Sequence, residues 1–247
     1  MHHKWLLVHP QEPSPTDNIL VNMYLKAIRR RWNVITKKKE ALTIDQFVNI
    51  LLYLKGDKNW NEVTFINHRF AAQMVIMFGC LARFEESQAL TIRQVEFSPA
   101  WAIVNFKKSK KFEVGEMASA VLATQPELKC NPLSVLKSYV DRISLLKDPD
   151  FFLFPAMRGS SFNSIAVTYD TVRNQFKEAL VKAEIVQNPK DFGLHSCRRG
   201  AVSNAVNKGG DPFMIAKAMR VRTVGIVHHY AKVDNDNLAN ICNLVFS

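Results

Sequence analysis

The first part of the chain alternates apolar and polar residues with the period of a helix. Residues 17–32 contain apolar residues interspersed with basic ones, a pattern that predicts a single helix. Residues 35–40 are polar and strongly basic and predict an exposed connection between domains. Thr43 is placed to cap a following helix, and the more apolar residues 65–78 predict a helix central to the core.

The pattern changes beyond Leu90, where short runs rich in aromatic and β-branched residues replace the helical period. These runs cover residues 95–97, 101–106 and 112–114, and turn residues or a lysine-rich stretch separate them. Three consecutive short strands of this kind predict a small antiparallel meander.

The last part of the chain returns to helical periodicity. Gly209 and Gly210 are followed by Asp211 and Pro212, the order expected where one helix stops and another starts. The fold class is therefore predicted as α+β, mostly helical with one small three-stranded antiparallel sheet. The helices are predicted over residues 132–146, 169–184, 196–207 and 212–219, with a last apolar stretch at 238–246.

Charge is the strongest compositional signal. Thirty-three Lys and Arg against 22 Asp and Glu leave a formal net charge of +11, enough to attract a polyanion such as nucleic acid. An ordinary basic protein remains the alternative on charge alone, so motifs have to decide between them.

Cysteine usage and the N-terminal residues indicate the compartment. Cys80, Cys130, Cys197 and Cys242 are far apart and form no C-x-x-C pair, so we expect reduced thiols without a zinc site or a disulfide framework. The start of the chain lacks an apolar signal region, and no apolar run has the length of a membrane span. We expect a protein that is neither secreted nor inserted in a membrane.

Four chemically suited residues follow one another in the chain. His195 and Arg198 stand three residues apart in the string GLHSCRRG, a spacing that places both on one helical face. Tyr230 follows in VHHY, and Arg83 comes well before them in GCLARFEE. Taken singly, each of these residues has a likelier structural role. The ordered set of two arginines, a histidine and a tyrosine is what points to a site.

This order resembles the tyrosine recombinase (phage integrase) family, whose catalytic domain has an arginine after a buried helix, a hairpin lysine, an H-x-x-R helix and a late tyrosine. The resemblance covers residues 42–233. Residues 79–90 are similar to the family's G-x-R-x-x-E-x-x-x-L stretch, with Arg83 and Glu86 in register and extra chain after Gly79. We expect Glu86 to accept hydrogen bonds from a backbone N–H or an arginine and so to fix Arg83, rather than to act as a catalytic base.

The lysine-rich turn between the second and third predicted strands resembles the family's hairpin lysine. Lys108 is the preferred match, and its neighbours Lys107 and Lys110 remain alternatives. Other basic residues are expected to contact DNA phosphates, which sets affinity but not sequence choice. The DNA-contacting set comprises Arg29, Arg30, Arg31, Lys37, Lys38, Lys39, Lys107, Lys110, Lys111 and Arg199.

One position departs from the family. The family usually carries His or Trp nine residues before the tyrosine, where this chain has Val221. Either His228 or Arg222 substitutes for that side chain, or a weaker set of residues works without it, or activity has been lost.

The chemistry of DNA strand cleavage suits the matched residues. Attack on a phosphodiester builds negative charge on the phosphoryl oxygens, and the guanidiniums of Arg83 and Arg198 can donate paired hydrogen bonds to them. Tyr230 must lose its proton to attack, with His195 as the acceptor, and Lys108 can protonate the leaving 5′ oxygen. The phosphotyrosine link conserves the bond energy, so no metal or nucleotide cofactor is expected.

The resemblance also implies a domain organisation and partners. Residues 1–36 would be the last helix of an N-terminal core-binding DNA-clamp domain with its linker, and residues 37–247 the catalytic domain. The partner would be double-stranded DNA. The apolar tail 238–246 would either pack on a neighbouring subunit, giving a dimer to tetramer on DNA, or pack on its own domain. A eukaryotic mobile element would place the protein in the nucleus, and any other source in the cytoplasm.

The predicted function is site-specific DNA recombination or integration through a 3′-phosphotyrosine intermediate. The alternative is a domesticated, non-catalytic DNA-binding module, which Val221 and the short N-terminal part would fit. A type IB topoisomerase shares the chemistry, but the small size and the lack of a linker coiled coil argue against it.

Overall fold

The computed structural model describes residues 19–31, 39–106, 118–159, 161–221 and 223–231. Contacts divide the chain into two units, Met1–Lys38 and Lys39–Ser247. The first contains helix α1 (Ile19–Arg31), which confirms the helix predicted over residues 17–32 and exposes most of its apolar side chains.

Helices are the commonest regular element in the described part of the second unit, and all but two short ones appear where periodicity predicted them. A side-chain cap starts α2, where the Thr43 hydroxyl accepts the N–H of Gln46 at 3.2 Å and the Gln46 side chain accepts the N–H of Thr43 at 3.0 Å. This reciprocal pair satisfies two backbone donors that a helix start leaves unpaired. The α-helices in the described part of this unit are α2 (Ile44–Lys55), α3 (Phe65–Gly79), α4 (Phe84–Gln88), α5 (Pro132–Ser144), α6 (Tyr169–Lys182), α7 (His195–Asn207), α8 (Pro212–Ala218) and α9 (Gly225–Tyr230).

Helix α3 is the centre of the core, as its apolar sequence predicts. Every residue from His68 to Phe78 is buried, and α2, α5 and α7 pack around it. A helix enclosed on all sides needs no polar face, which is why its apolar residues do not form a stripe. Its end at Gly79 also lies close to the sheet, since a Cβ there would come within 2.5 Å of Leu122 Cδ1. The chain then turns into α4, which carries part of the predicted site.

The antiparallel sheet consists of β1 (Val95–Phe97), β2 (Trp101–Phe106) and β3 (Ala118–Ala123), in that spatial order. Val104 pairs with Val95 on one side and with Ala120 on the other. The predicted fold class, mostly helical with a three-stranded antiparallel sheet, is therefore confirmed. The strand expected at residues 112–114 lies outside the described residues, and the strand that pairs with β2 is β3.

A second pairing of strands was not predicted from the sequence. Strands β4 (Pro155–Arg158) and β5 (Ser161–Ala166) form an antiparallel hairpin. Its residues alternate only weakly between apolar and polar, so the ladder of hydrogen bonds and not a side-chain pattern defines these strands.

Candidate active site

The connection from α3 to α4 places Arg83 and Glu86. Arg83 directly precedes α4, and its backbone N–H donates to Glu86 Oε2 at 2.8 Å, while its Nη1 donates to Glu86 Oε1 at 3.0 Å. About a third of the Arg83 side chain, 33%, stays exposed, against 13% for Glu86. Two hydrogen bonds to Glu86 therefore hold Arg83 while leaving its side chain partly exposed.

Leu81, in the same connection, has an unusual backbone conformation. Its φ of +50° lies in the left-handed region, which glycine adopts without the clash that a Cβ causes. Leu81 stands two residues before Arg83, where the G-x-R pattern has its glycine. The left-handed conformation therefore falls at the spacing of the pattern's glycine, while Gly79 stands two residues earlier at the end of α3.

Glu86 accepts hydrogen bonds from three arginines of the site. Besides its two bonds from Arg83, its Oε2 accepts from Arg220 Nη2 at 3.0 Å and from Arg198 Nη1 at 3.5 Å. Burial by itself raises the pKa of Glu86, but the charge of Arg220, the N–H of Arg83 and the charge of Arg198 outweigh it and hold the pKa below its ordinary value. Three guanidiniums around one carboxylate leave an excess of positive charge, which suits an anion.

Arg198 lies on α7 with its side chain only 1% exposed. Its Nη1 donates to the carbonyl of Leu81 and its Nη2 to the carbonyl of Met219, both at 2.7 Å. Burial lowers the pKa of Arg198 to about 10, while Glu86 acts in the opposite direction, so the guanidinium remains charged at neutral pH. Its buried Nε has no hydrogen-bond partner among the described residues.

Helix α7 is held by a close approach to the segment before α2. The Leu42 N–H donates to the carbonyl of Ser196 at 3.0 Å. Gly200 makes room for this contact, since a Cβ there would lie 1.7 Å from the Leu42 oxygen. His195 is the first residue of α7 and is exposed, one turn before Arg198. The same contact therefore positions both residues of the H-x-x-R pair.

Tyr230 ends α9 next to Arg198. The Arg198 Cζ lies 5.4 Å from the centroid of the Tyr230 ring, which is half-buried against a small apolar cluster that includes Met219 and Val227. His228, on the same helix, is exposed. The fold thus brings Arg83, Arg198 and Tyr230 together from three distant segments.

Arg220 is a site residue that sequence reasoning missed. Its side chain is 5% exposed and reaches Glu86 together with the carbonyls of Cys80 and Leu81. The signal for it was its place beside Val221, whose apolar side chain packs on the same cluster as Tyr230. The sequence had instead pointed to His228 or Arg222 as the substitute for the missing His or Trp.

The remaining predicted residues divide into placed and undescribed ones. Arg199 Nη1 donates to the Lys39 carbonyl at 2.6 Å, and Lys39 Nζ donates to the Lys190 carbonyl at 2.6 Å. Arg29, Arg30 and Arg31 end α1. The predicted residues outside the described part of the chain are Lys37, Lys38, Lys107, Lys108, Lys110, Lys111, Arg222 and the tail 238–246.

Within the described ranges, His, Cys, Asp and Glu side chains nowhere gather in threes as a metal site would require. In that same part of the chain, no helix combines the length and the apolar character needed to cross a bilayer.

Solved structures share this fold. XerH site-specific recombinase, in a post-cleavage complex with palindromic difH substrate, has a TM-score of 0.63 at 15% identity, covering 86% of this chain and 55% of that one. XerA recombinase has a TM-score of 0.60 at 18% identity over 98% and 80% of the two chains. The Tn1549 transposon integrase, in complex with circular intermediate DNA, gives 0.61 at 16% over 100% and 77%. This chain thus spans little more than half the length of the XerH chain.

Fold and site together define a mostly helical domain that gathers arginines around a carboxylate beside a tyrosine. Residues 40–237 match the phage integrase family, so the chain belongs to that family. This agrees with the resemblance to tyrosine recombinases drawn from the motifs. No curated protein matches the chain.

Proposed function

We propose that this chain is the catalytic part of a tyrosine recombinase that cuts and rejoins DNA at specific sites through a 3′-phosphotyrosine intermediate. One observation carries the proposal. Arg83, Arg198 and Tyr230 converge on one place, with Glu86 bonded to both arginines and the Arg198 Cζ 5.4 Å from the Tyr230 ring.

In the proposed reaction the Tyr230 oxygen attacks a DNA phosphorus, a P–O bond to the protein forms, and the bond from phosphorus to the 5′ oxygen breaks. The phenol proton passes to His195, the exposed imidazole at the start of α7. The leaving 5′ oxygen takes a proton from Lys108. Rejoining reverses these steps with a 5′ hydroxyl as the nucleophile, so the cycle needs no external energy source.

The two arginines divide the work on the phosphate. Arg83 keeps 33% of its side chain exposed and is suited to donate paired hydrogen bonds to the phosphoryl oxygens. Arg198 is buried and uses both Nη atoms on backbone carbonyls. It therefore contributes mainly its charge at short range.

The partner in this proposal is double-stranded DNA. The net charge of +11 favours it, and solved relatives of the same fold are described bound to difH substrate and to circular intermediate DNA. Assembly into a dimer to tetramer on DNA through the tail 238–246 is part of the proposal. So is a nuclear location if the source is a eukaryotic mobile element, and a cytoplasmic one otherwise.

The test is covalent trapping on nicked suicide substrates that carry the ends of the encoding element, followed by denaturing electrophoresis. Wild type should form a protein–DNA adduct, and Tyr230→Phe should form none while binding DNA equally well. Tyr169→Phe, another partly exposed tyrosine, serves as the matched control and should behave as wild type. DNA binding without any wild-type adduct, even with an N-terminal clamp domain supplied, would favour the non-catalytic module.

A further inference from the structure

The position where the family has His or Trp is not catalytic in this chain, but the residue beside it reaches the site. Val221 is apolar, packs against the Tyr230 cluster, and offers no side-chain hydrogen bond. Arg220 turns inward instead, and its Nη2 donates to Glu86 Oε2 at 3.0 Å.

The backbone conformation of Arg220 indicates that its side-chain contacts stabilise the inward orientation. Its φ of +55° is a conformation that a residue with a Cβ adopts at a cost and glycine adopts freely. Contacts of the side chain offset that cost. The guanidinium donates to the carbonyls of Cys80 and Leu81 at 3.2 and 3.3 Å, and its Cζ stacks 4.1 Å from the centroid of the Phe106 ring.

These contacts join two loops that carry the site. Arg220 follows α8 and reaches back to the α3–α4 connection, while Arg198 crosses the same gap from Leu81 to Met219. Both arginines donate hydrogen bonds to Glu86, which also accepts from the partly exposed Arg83. A change at Arg220 is therefore transmitted to Arg83 without Arg220 touching the DNA.

We propose that Arg220 is a positioning residue that takes over from the missing His or Trp by keeping Glu86 in place and, through it, Arg83 and Arg198. The inference rests on the proposed recombinase function. The groups that face Glu86 are Arg83 from the start of its own helix, Arg198 from α7, and Arg220.

Removing the charge of Arg220 should change the protonation of Glu86 as well as its position. Burial favours the neutral acid and the neighbouring guanidiniums favour the carboxylate, with Arg220 the strongest of them. In Arg220→Gln the pKa of Glu86 should rise, and a protonated Glu86 no longer attracts Arg83. The acidic limb of the pH–rate profile should then move to higher pH, which a loss of packing alone would not cause.

The experiment measures single-turnover adduct formation against pH, together with DNA affinity and thermal melting. For Arg220→Gln we expect a rate lower by about 100-fold at neutral pH, the typical effect of a displaced catalytic group, with DNA affinity unchanged. Arg220→Lys should recover part of the rate, because it restores the charge but not the paired bonds. Arg69→Gln is the matched control, since Arg69 is also buried and donates to a carbonyl, that of Pro155 at 2.8 Å, away from the site.

Each outcome decides the inference. An Arg220→Gln variant with the wild-type rate and profile would overturn it, as would an Arg69→Gln variant that is slowed and shifted to the same extent. If wild type forms no adduct, the proposed function fails first. A ¹³C titration of the Glu86 carboxyl in wild type and Arg220→Gln then still tests the inference, and an unchanged Glu86 pKa would refute it.

Discussion

Replacing Gly200 by alanine adds a single methyl group at the point where α7 touches the chain before α2. The new Cβ would lie 1.7 Å from the Leu42 oxygen, 2.7 Å from its carbonyl carbon and 2.9 Å from its nitrogen. All three are backbone atoms, which cannot rotate away as the end of a side chain could. Helix α7 and the Leu42 segment must therefore separate.

The size of the separation follows from contact distances. A carbon and an oxygen approach to about 3.3 Å, so the two segments must move apart by roughly 1.6 Å. The hydrogen bond from Leu42 N–H to Ser196, now 3.0 Å, would be lost. Overpacking of this kind costs about 1–3 kcal/mol and the broken bond about 1 kcal/mol more, so we expect a loss of about 2–4 kcal/mol.

The same displacement should also lower activity. His195 and Arg198 both move with α7, and a displacement of about 1 Å in a catalytic group lowers rates by about 100-fold. Urea unfolding gives the stability change directly. A thermal melt should show a decrease of roughly 5–15 °C for a chain of this size. Adduct formation at a permissive temperature gives the rate.

Gly225→Ala is the control for this experiment. No atom lies within 4 Å of a Cβ built at Gly225, the first residue of α9, so the variant should keep wild-type stability or gain slightly from helix propensity. If Gly200→Ala melts and cleaves like wild type, the contact between α7 and Leu42 does not position the H-x-x-R pair.

Two further predictions concern buried groups. Burial lowers the pKa of His68 to about 4. The hydrogen bond from its ring to the Val135 carbonyl opposes this shift, and the charge of Arg142 adds to it. The unfolded chain therefore binds a proton at His68 near pH 6.5, whereas the folded protein binds it only near pH 4. Stability should fall by roughly 3 kcal/mol as the pH drops through that window, and urea melts of His68→Gln should lack this component. Burial also raises the pKa of the Cys80 and Cys197 thiols to about 12, so alkylation followed by mass spectrometry should label them only after unfolding, and labelling in the native protein would contradict their burial.

Local sequence information was sufficient for the longer helices and for selecting Arg83, Arg198 and Tyr230, which the structure brings together. Helix α2 starts at its Thr43 cap, and α5 and α8 start at prolines, because caps and apolar periodicity act within a few residues along the chain. The motif around Arg198 and the tyrosine at 230 could likewise be recognised without coordinates. These features depend on residue type and spacing, which the sequence contains in full.

Tertiary structure decided the features that depend on contacts between segments far apart in the sequence. Strand β3 is rich in alanine, which has little preference for strands, and it exists because β2 pairs with it. Arg198 is buried against carbonyls of Leu81 and Met219, and Arg220 reaches Glu86 although the sequence had pointed to His228 or Arg222. The sequence determines which charged groups are available. Only the packing of α3, α7 and α8 decides which of them lose water and share Glu86, because burial and hydrogen-bond partners arise from non-local contacts.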